Sequence, residues 1–132
     1  SAQDWLILGN VLEDKGEKDN AIFMYQKAIS VNPKYYKAYY NLANNYAQNS
    51  QFNMAVQNYK KAASLNKENP YIFYNMACTY IQMGEIKKAK TIKDVAETII
   101  DNARLGLQAQ KHFDDMGSSS RVEIPMLSVV DK

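Results

Sequence analysis

The sequence predicts an all-α protein: a solenoid of antiparallel helix pairs, about seven helices in all, followed by an extended C-terminal tail. Three observations carry this. Small residues recur every 34 positions, at Gly9, Ala43 and Ala77, at Ala21, Ala55 and Ala89, and at Ala28, Ala62 and Ala96. Large apolar residues keep the same step, at Trp5, Tyr39 and Phe73, at Leu8, Leu42 and Met76, and at Leu12, Tyr46 and Tyr80. Turn-forming residues do so at Gly16, Ser50 and Gly84. A fixed period in this range is the signature of stacked structural repeats.

Each unit reads the same way. Trp5, Leu8 and Leu12 stand at helical spacing, so the first stretch is an amphipathic helix. The turn at Gly16 ends it. A second amphipathic helix follows through Ala21, Tyr25 and Ala28. Two helices joined by so short a turn lie antiparallel. Small residues at Gly9 and Ala21 let the pair approach closely, and Ala28 does the same toward the next unit. One pair cannot bury its apolar face alone, so the pairs stack. The units span residues 2–35, 36–69 and 70–103. A further amphipathic stretch runs from Ala103 to Met116, with Ala103, Leu107 and Phe113 on its apolar side. It reads as a terminal capping helix started by Asp101 and Asn102. The alternative is one long helix, because no glycine or proline separates this stretch from residues 92–100.

These residues resemble the tetratricopeptide repeat. Trp5, Leu8, Gly9, Leu12, Gly16, Ala21, Tyr25, Ala28 and Pro33 fill that pattern in the first unit. Tyr39, Leu42, Ala43, Tyr46, Ala55, Tyr59 and Ala62 fill it in the second, with Lys67 at the usual proline. Phe73, Met76, Ala77, Tyr80, Gly84, Ala89 and Ala96 fill it in the third, with Lys93 at an aromatic position. The resemblance covers residues 2–103. It implies a right-handed superhelix over residues 1–116, whose first helices line a concave groove for an extended peptide or a helix. It implies a protein-binding module and not an enzyme.

Composition sets outer bounds. The 132 residues are 46% hydrophobic, enough for one domain with a core. The net charge is +2, from 16 basic and 14 acidic residues. That balance gives no argument for nucleic acid or an anionic membrane. No apolar run is long enough to span a bilayer. Cys78 is the single cysteine, so no intrachain disulfide forms, which fits a reducing, cytoplasmic setting. The opening Ser1-Ala2-Gln3-Asp4 has no signal-peptide character.

The resemblance directs attention to first-helix residues that do not pack within their own unit. These are Leu6, Asn10, Glu13 and Asp14, then Lys37, Tyr40, Asn41, Asn44 and Gln48, then Tyr71, Tyr74, Asn75, Cys78 and Gln82. Asn10, Asn41, Asn44 and Asn75 form a ladder of amides. Such a ladder offers donors and acceptors to the backbone of an extended peptide. Tyr40, Tyr71 and Tyr74 offer apolar shelves with polar rims. The competing reading is plain abundance of asparagine, as at Asn45, Asn49 and Asn53. Some family members clamp the terminal carboxylate of a chaperone tail with lysines, an arginine and asparagines. Asn10 and Asn41 match that set, but Leu6, Tyr71 and Asn75 stand where its cations belong. A carboxylate needs charge-assisted donors, so no such clamp is expected here.

The remaining signals are plainer. Lys60, Lys61, Lys87, Lys88, Lys90 and Lys93 read as a solvated convex face. Cys78 reads as a small groove-lining residue rather than a reactive thiol. His112 is the lone histidine, without Cys or His at ligand spacing, so no metal site is expected. Glu13 with Asp14, and Asp114 with Asp115, read as surface charge rather than an acid–base pair. No phosphate-cradling or nucleophile motif is present, and no cofactor is expected. After Gly117 and three serines the tail from Arg121 to Val130 is apolar and aperiodic. It reads as an adventitious end, as a mimic of a bound peptide or an arm swapped between copies, or as a segment docked on a helix face, and assembly through the tail or the solenoid faces is the alternative function.

Overall fold

The computed structural model describes residues 1–116. Six helices occupy them: α1 (Ala2–Asp14), α2 (Lys18–Val31), α3 (Tyr36–Gln48), α4 (Phe52–Leu65), α5 (Pro70–Gln82) and α6 (Ile86–Asp115). The linker and tail read at residues 117–132, and the self-association attached to them, lie outside the described residues. Three antiparallel pairs, α1/α2, α3/α4 and α5/α6, stack in order, with α2 against α3 and α4 against α5. The first helices α3 and α5 also touch each other along one side of the stack.

The small-residue columns do what their size predicts. Ala21, Ala28, Ala55, Ala62 and Ala96 are completely buried, and Ala89 nearly so. The large members of the core are Tyr25 and Tyr59, each pinned between the two helices of its pair. Gly9 is glycine for lack of space: a Cβ there would lie 2.5 and 2.8 Å from carbons of the Tyr25 ring.

The three turns share one geometry. Gly16, Ser50 and Gly84 have φ of 82°, 61° and 80°. In each turn the next residue's N–H reaches back to the first helix, Glu17 to Leu12, Gln51 to Tyr46 and Glu85 to Tyr80, all at 2.9 Å. This is the Schellman C-cap, which places a left-handed residue just past the helix. Only Ser50 takes that conformation with a Cβ. Ser50→Gly is therefore expected to stabilise the fold by ~0.5–1 kcal/mol, read as a shifted urea midpoint with unchanged slope.

Six helices stand where seven were expected, because the predicted cap is not a separate helix. Its residues continue α6, which runs 30 residues without interruption. The physical reason is the missing breaker: Asp101 and Asn102 are compatible with helix interior, and nothing there frees the chain to turn. Lys93 likewise takes the aromatic column without disturbing α6. It is exposed, and its ammonium sits 3.7 Å from Glu97 one turn on.

Candidate functional site

The first helices carry the amides to one side of the stack, where they meet across units rather than standing free. Asn41 Nδ2 donates to Asn10 Oδ1 at 2.9 Å, and Asn75 Nδ2 donates to Asn44 Oδ1 at 3.1 Å. Each acceptor is also reached by a buried tyrosine of the second helix. The Tyr25 hydroxyl lies 2.8 Å from Asn10 Oδ1, and the Tyr59 hydroxyl bonds Asn44 Oδ1. The motif therefore repeats as Tyr25–Asn10–Asn41 and Tyr59–Asn44–Asn75. It ties the two helices of one unit to the first helix of the next. Asn75 also donates to the Tyr40 hydroxyl at 2.8 Å, and the Tyr40 ring tilts against Tyr59 at 6.1 Å.

The predicted groove residues divide among several places. Asn44, Gln48, Asn75, Cys78 and Gln82 line one cleft of about 340 Å³ between α3 and α5, with Ala47, Tyr59 and Thr79 as its floor. Cys78, Gln48 and Gln82 are exposed there. Tyr74 faces a second, smaller cleft with Glu97, Ile100, Asp101 and Arg104. Tyr71 is 69% exposed at the start of α5. Asn10 and Asn41 form the rung at the other end of the ladder, and Lys37 and Asp14 are exposed.

Two expectations are corrected. Leu6 does not face the groove: it is 7% exposed and belongs to the core. The longer Tyr40 and Tyr74 of the same column reach out and stay half-buried. Glu13 is not solvated charge. Its Oε1 accepts from Asn45 Nδ2 at 3.1 Å and lies 3.1 Å from the Tyr25 hydroxyl.

Asn45 is the residue that sequence reasoning missed. Abundance alone would explain an asparagine there, yet this one is fully buried. It donates to Glu13 and to the Lys18 carbonyl (3.4 Å), and it accepts from Asn49. Its place in the column of Val11 and Thr79, a position that is buried in the second and third units, was the available signal. Burial raises the titration of both Tyr25 and Tyr59 above the ordinary phenol value. The nearby Glu13 charge and its hydrogen bond add to this for Tyr25, and Tyr40 adds to it for Tyr59.

The lysine face is exposed as read, and two of its members lie over rings: Lys61 over Tyr39 and Lys88 over Tyr80, both at 5.9 Å. Among the described residues no three His, Cys, Asp or Glu gather as metal ligands. No helix among them is long and apolar enough to cross a membrane.

Comparison with known proteins agrees with this architecture. The sequence matches the family described as TPR repeat over residues 9–50 and 43–84. Human Tetratricopeptide repeat protein 6 is 47% identical over 47 residues, which is 36% of this chain and 9% of that protein. The crystal structure of MamA superposes with a TM-score of 0.77 at 26% identity, covering 79% of this chain and 61% of that one. The second TPR of Spaghetti (RPAP3), bound to the HSP90 peptide SRMEEVD, has a TM-score of 0.71 at 18% identity, covering 74% and 91%. This chain thus spans a small part of the curated relative and under two thirds of MamA.

Proposed function

We propose that this chain, which belongs to the tetratricopeptide repeat family, holds an extended segment of a partner protein in the cleft between α3 and α5. The fold itself is a protein–protein interaction scaffold, and members of the family are generally not enzymes. The observation that carries the finer reading is the state of the amides around the cleft. Asn44 Nδ2, Asn75 Oδ1 and the side chains of Gln48 and Gln82 make no hydrogen bond among the described residues. They line the same cleft, and the Asn44–Asn75 rung fixes the two asparagines among them. An extended peptide needs such alternating donors and acceptors for its backbone. Because Asn44 and Asn75 are held from behind by Tyr59 and Tyr40, their free edges are preorganised and lose little entropy on binding.

Among the described residues no cation lines the cleft to receive a terminal carboxylate. Asn75 stands at an arginine position of the chaperone-tail clamp and is bonded to Asn44 and Tyr40, while Leu6 is buried. Internal peptide segments therefore fit it better than chain ends.

The test is selection of short displayed peptides against the whole protein. Selected peptides are expected to lose at least about tenfold in affinity on Gln48→Arg with Cys78→Arg. The melting temperature should stay unchanged, since both side chains are exposed. Lys87→Glu, on the opposite face, should leave binding intact. SRMEEVD, titrated in parallel, should show no micromolar binding. Selected peptides indifferent to the cleft substitutions, or tight SRMEEVD binding, would overturn the proposal.

A further inference from the structure

The two ends of the stack are chemically unlike. On the first helices, three columns face the preceding unit. Ala38 and Ile72, Leu42 and Met76, and Asn45 and Thr79 are all buried there, none more than 4% exposed. The bond from Asn45 to the Lys18 carbonyl shows the direction, since Lys18 begins α2. The matching residues of α1 are Asp4, Leu8 and Val11, and beside them stands Ile7. Leu8 is 43%, Val11 44% and Ile7 52% exposed. This is an apolar stacking face with nothing on it among the described residues.

The other end differs in sequence, not only in exposure. On the second helices, Ile22 and Val56, Tyr25 and Tyr59, and Ile29 and Ala63 are buried or half-buried. In α6 the same columns hold Lys90, Lys93 and Glu97, all exposed, with Lys93 and Glu97 paired. Charged residues there seal the stack against a further unit, as terminal repeats must. The amide ladder obeys the same polarity. Cys78, not asparagine, follows Asn10 and Asn44 in the last unit, where no next rung exists.

From this asymmetry we infer that α1 is an interior helix of a longer stack, covered by a further helix pair of the same type that enters ahead of it in the 34-residue register. The fold already shows how: α2 lies on α3, and α4 on α5. The covering second helix would present apolar residues at the positions of Ile22, Tyr25 and Ile29, and a donor or cation toward Asp4. A second copy cannot supply this head to tail, because its free end offers Lys90, Lys93 and Glu97, whose burial against Leu8 and Val11 would strip charges of water.

The test places a copy of residues 36–69 directly before Ala2, which keeps the period, and compares thermal melts of the whole chain with and without it. The added unit is expected to raise the melting temperature by about 5 °C or more. Leu8→Lys with Val11→Lys should leave the parent chain within about 2 °C and abolish most of the gain in the extended one. An equal gain with and without the lysines, or an added unit that stays unfolded on α1, would overturn the inference. So would sedimentation showing that the parent is a dimer which the lysines dissociate, since a second copy would then own the face.

Discussion

Tyr25→Ala or Tyr59→Ala is expected to lower the unfolding free energy by ~3–5 kcal/mol, more than any other single truncation in the amide ladder or the turns. Both rings are essentially without solvent exposure and fill the space between the helices of their pairs. Truncation leaves a cavity that flanking alanines, already in contact, cannot fill. It also removes the hydroxyl that holds Asn10 or Asn44. The phenylalanine variants separate the two contributions, because they keep the ring. Tyr59→Phe should cost ~0.5–1.5 kcal/mol, as for a neutral hydrogen bond. Tyr25→Phe should cost more, ~1.5–3 kcal/mol, since its hydroxyl also meets the Glu13 carboxylate. Urea titration of the four variants measures this. Phenylalanine variants as unstable as the alanine ones would place the energy in the hydroxyl network instead of the packing.

Stability should fall steeply on the alkaline side. Burial first, and neighbouring groups second, raise the titration of Tyr25 and Tyr59 above the ordinary value of 10.0. For a phenol this means that the folded state keeps the proton which the unfolded state loses. The contribution is fully present below pH 10.0 and is lost as pH rises above it. Each tyrosine then removes at most about 1.4 kcal/mol per pH unit, and the two act in the same direction. Melting temperatures measured across that range should drop, and Tyr25→Phe should roughly halve the slope. A flat profile would mean that both phenols ionise in the folded protein as they do in water.

The chain declares some of these features in advance and conceals others. Columns at Ala21, Ala28 and Gly16 are local statements. A small residue or a left-handed residue is required by the helix beside it, and the 34-residue recurrence repeats the requirement. The roles of Asn10, Asn41, Asn44 and Asn75 were legible as a ladder but not as rungs. Their partners lie 31 residues away across a unit boundary, and only the offset between stacked helices sets which amide meets which. Asn45 and Glu13 were hidden for the same reason. A polar side chain reads as solvated until the stack closes over it.

By itself, then, the sequence determined the helix pairs, their turns, their order and the side of the stack that carries the asparagines. Those features depend on contacts between i and i+4 and on one repeated spacing. Tertiary structure decided what lies beyond nearest neighbours along the chain. It showed that α6 runs on where a cap was expected, because nothing in residues 92–107 obliges a helix to stop. It turned half of each ladder asparagine toward a partner and left the other half free. It also showed that Leu8, apolar like Leu42 and Met76, is uncovered where they are buried. Exposure is a property of what stacks on a residue, and a pattern shared by three units cannot say which of them stands at an end.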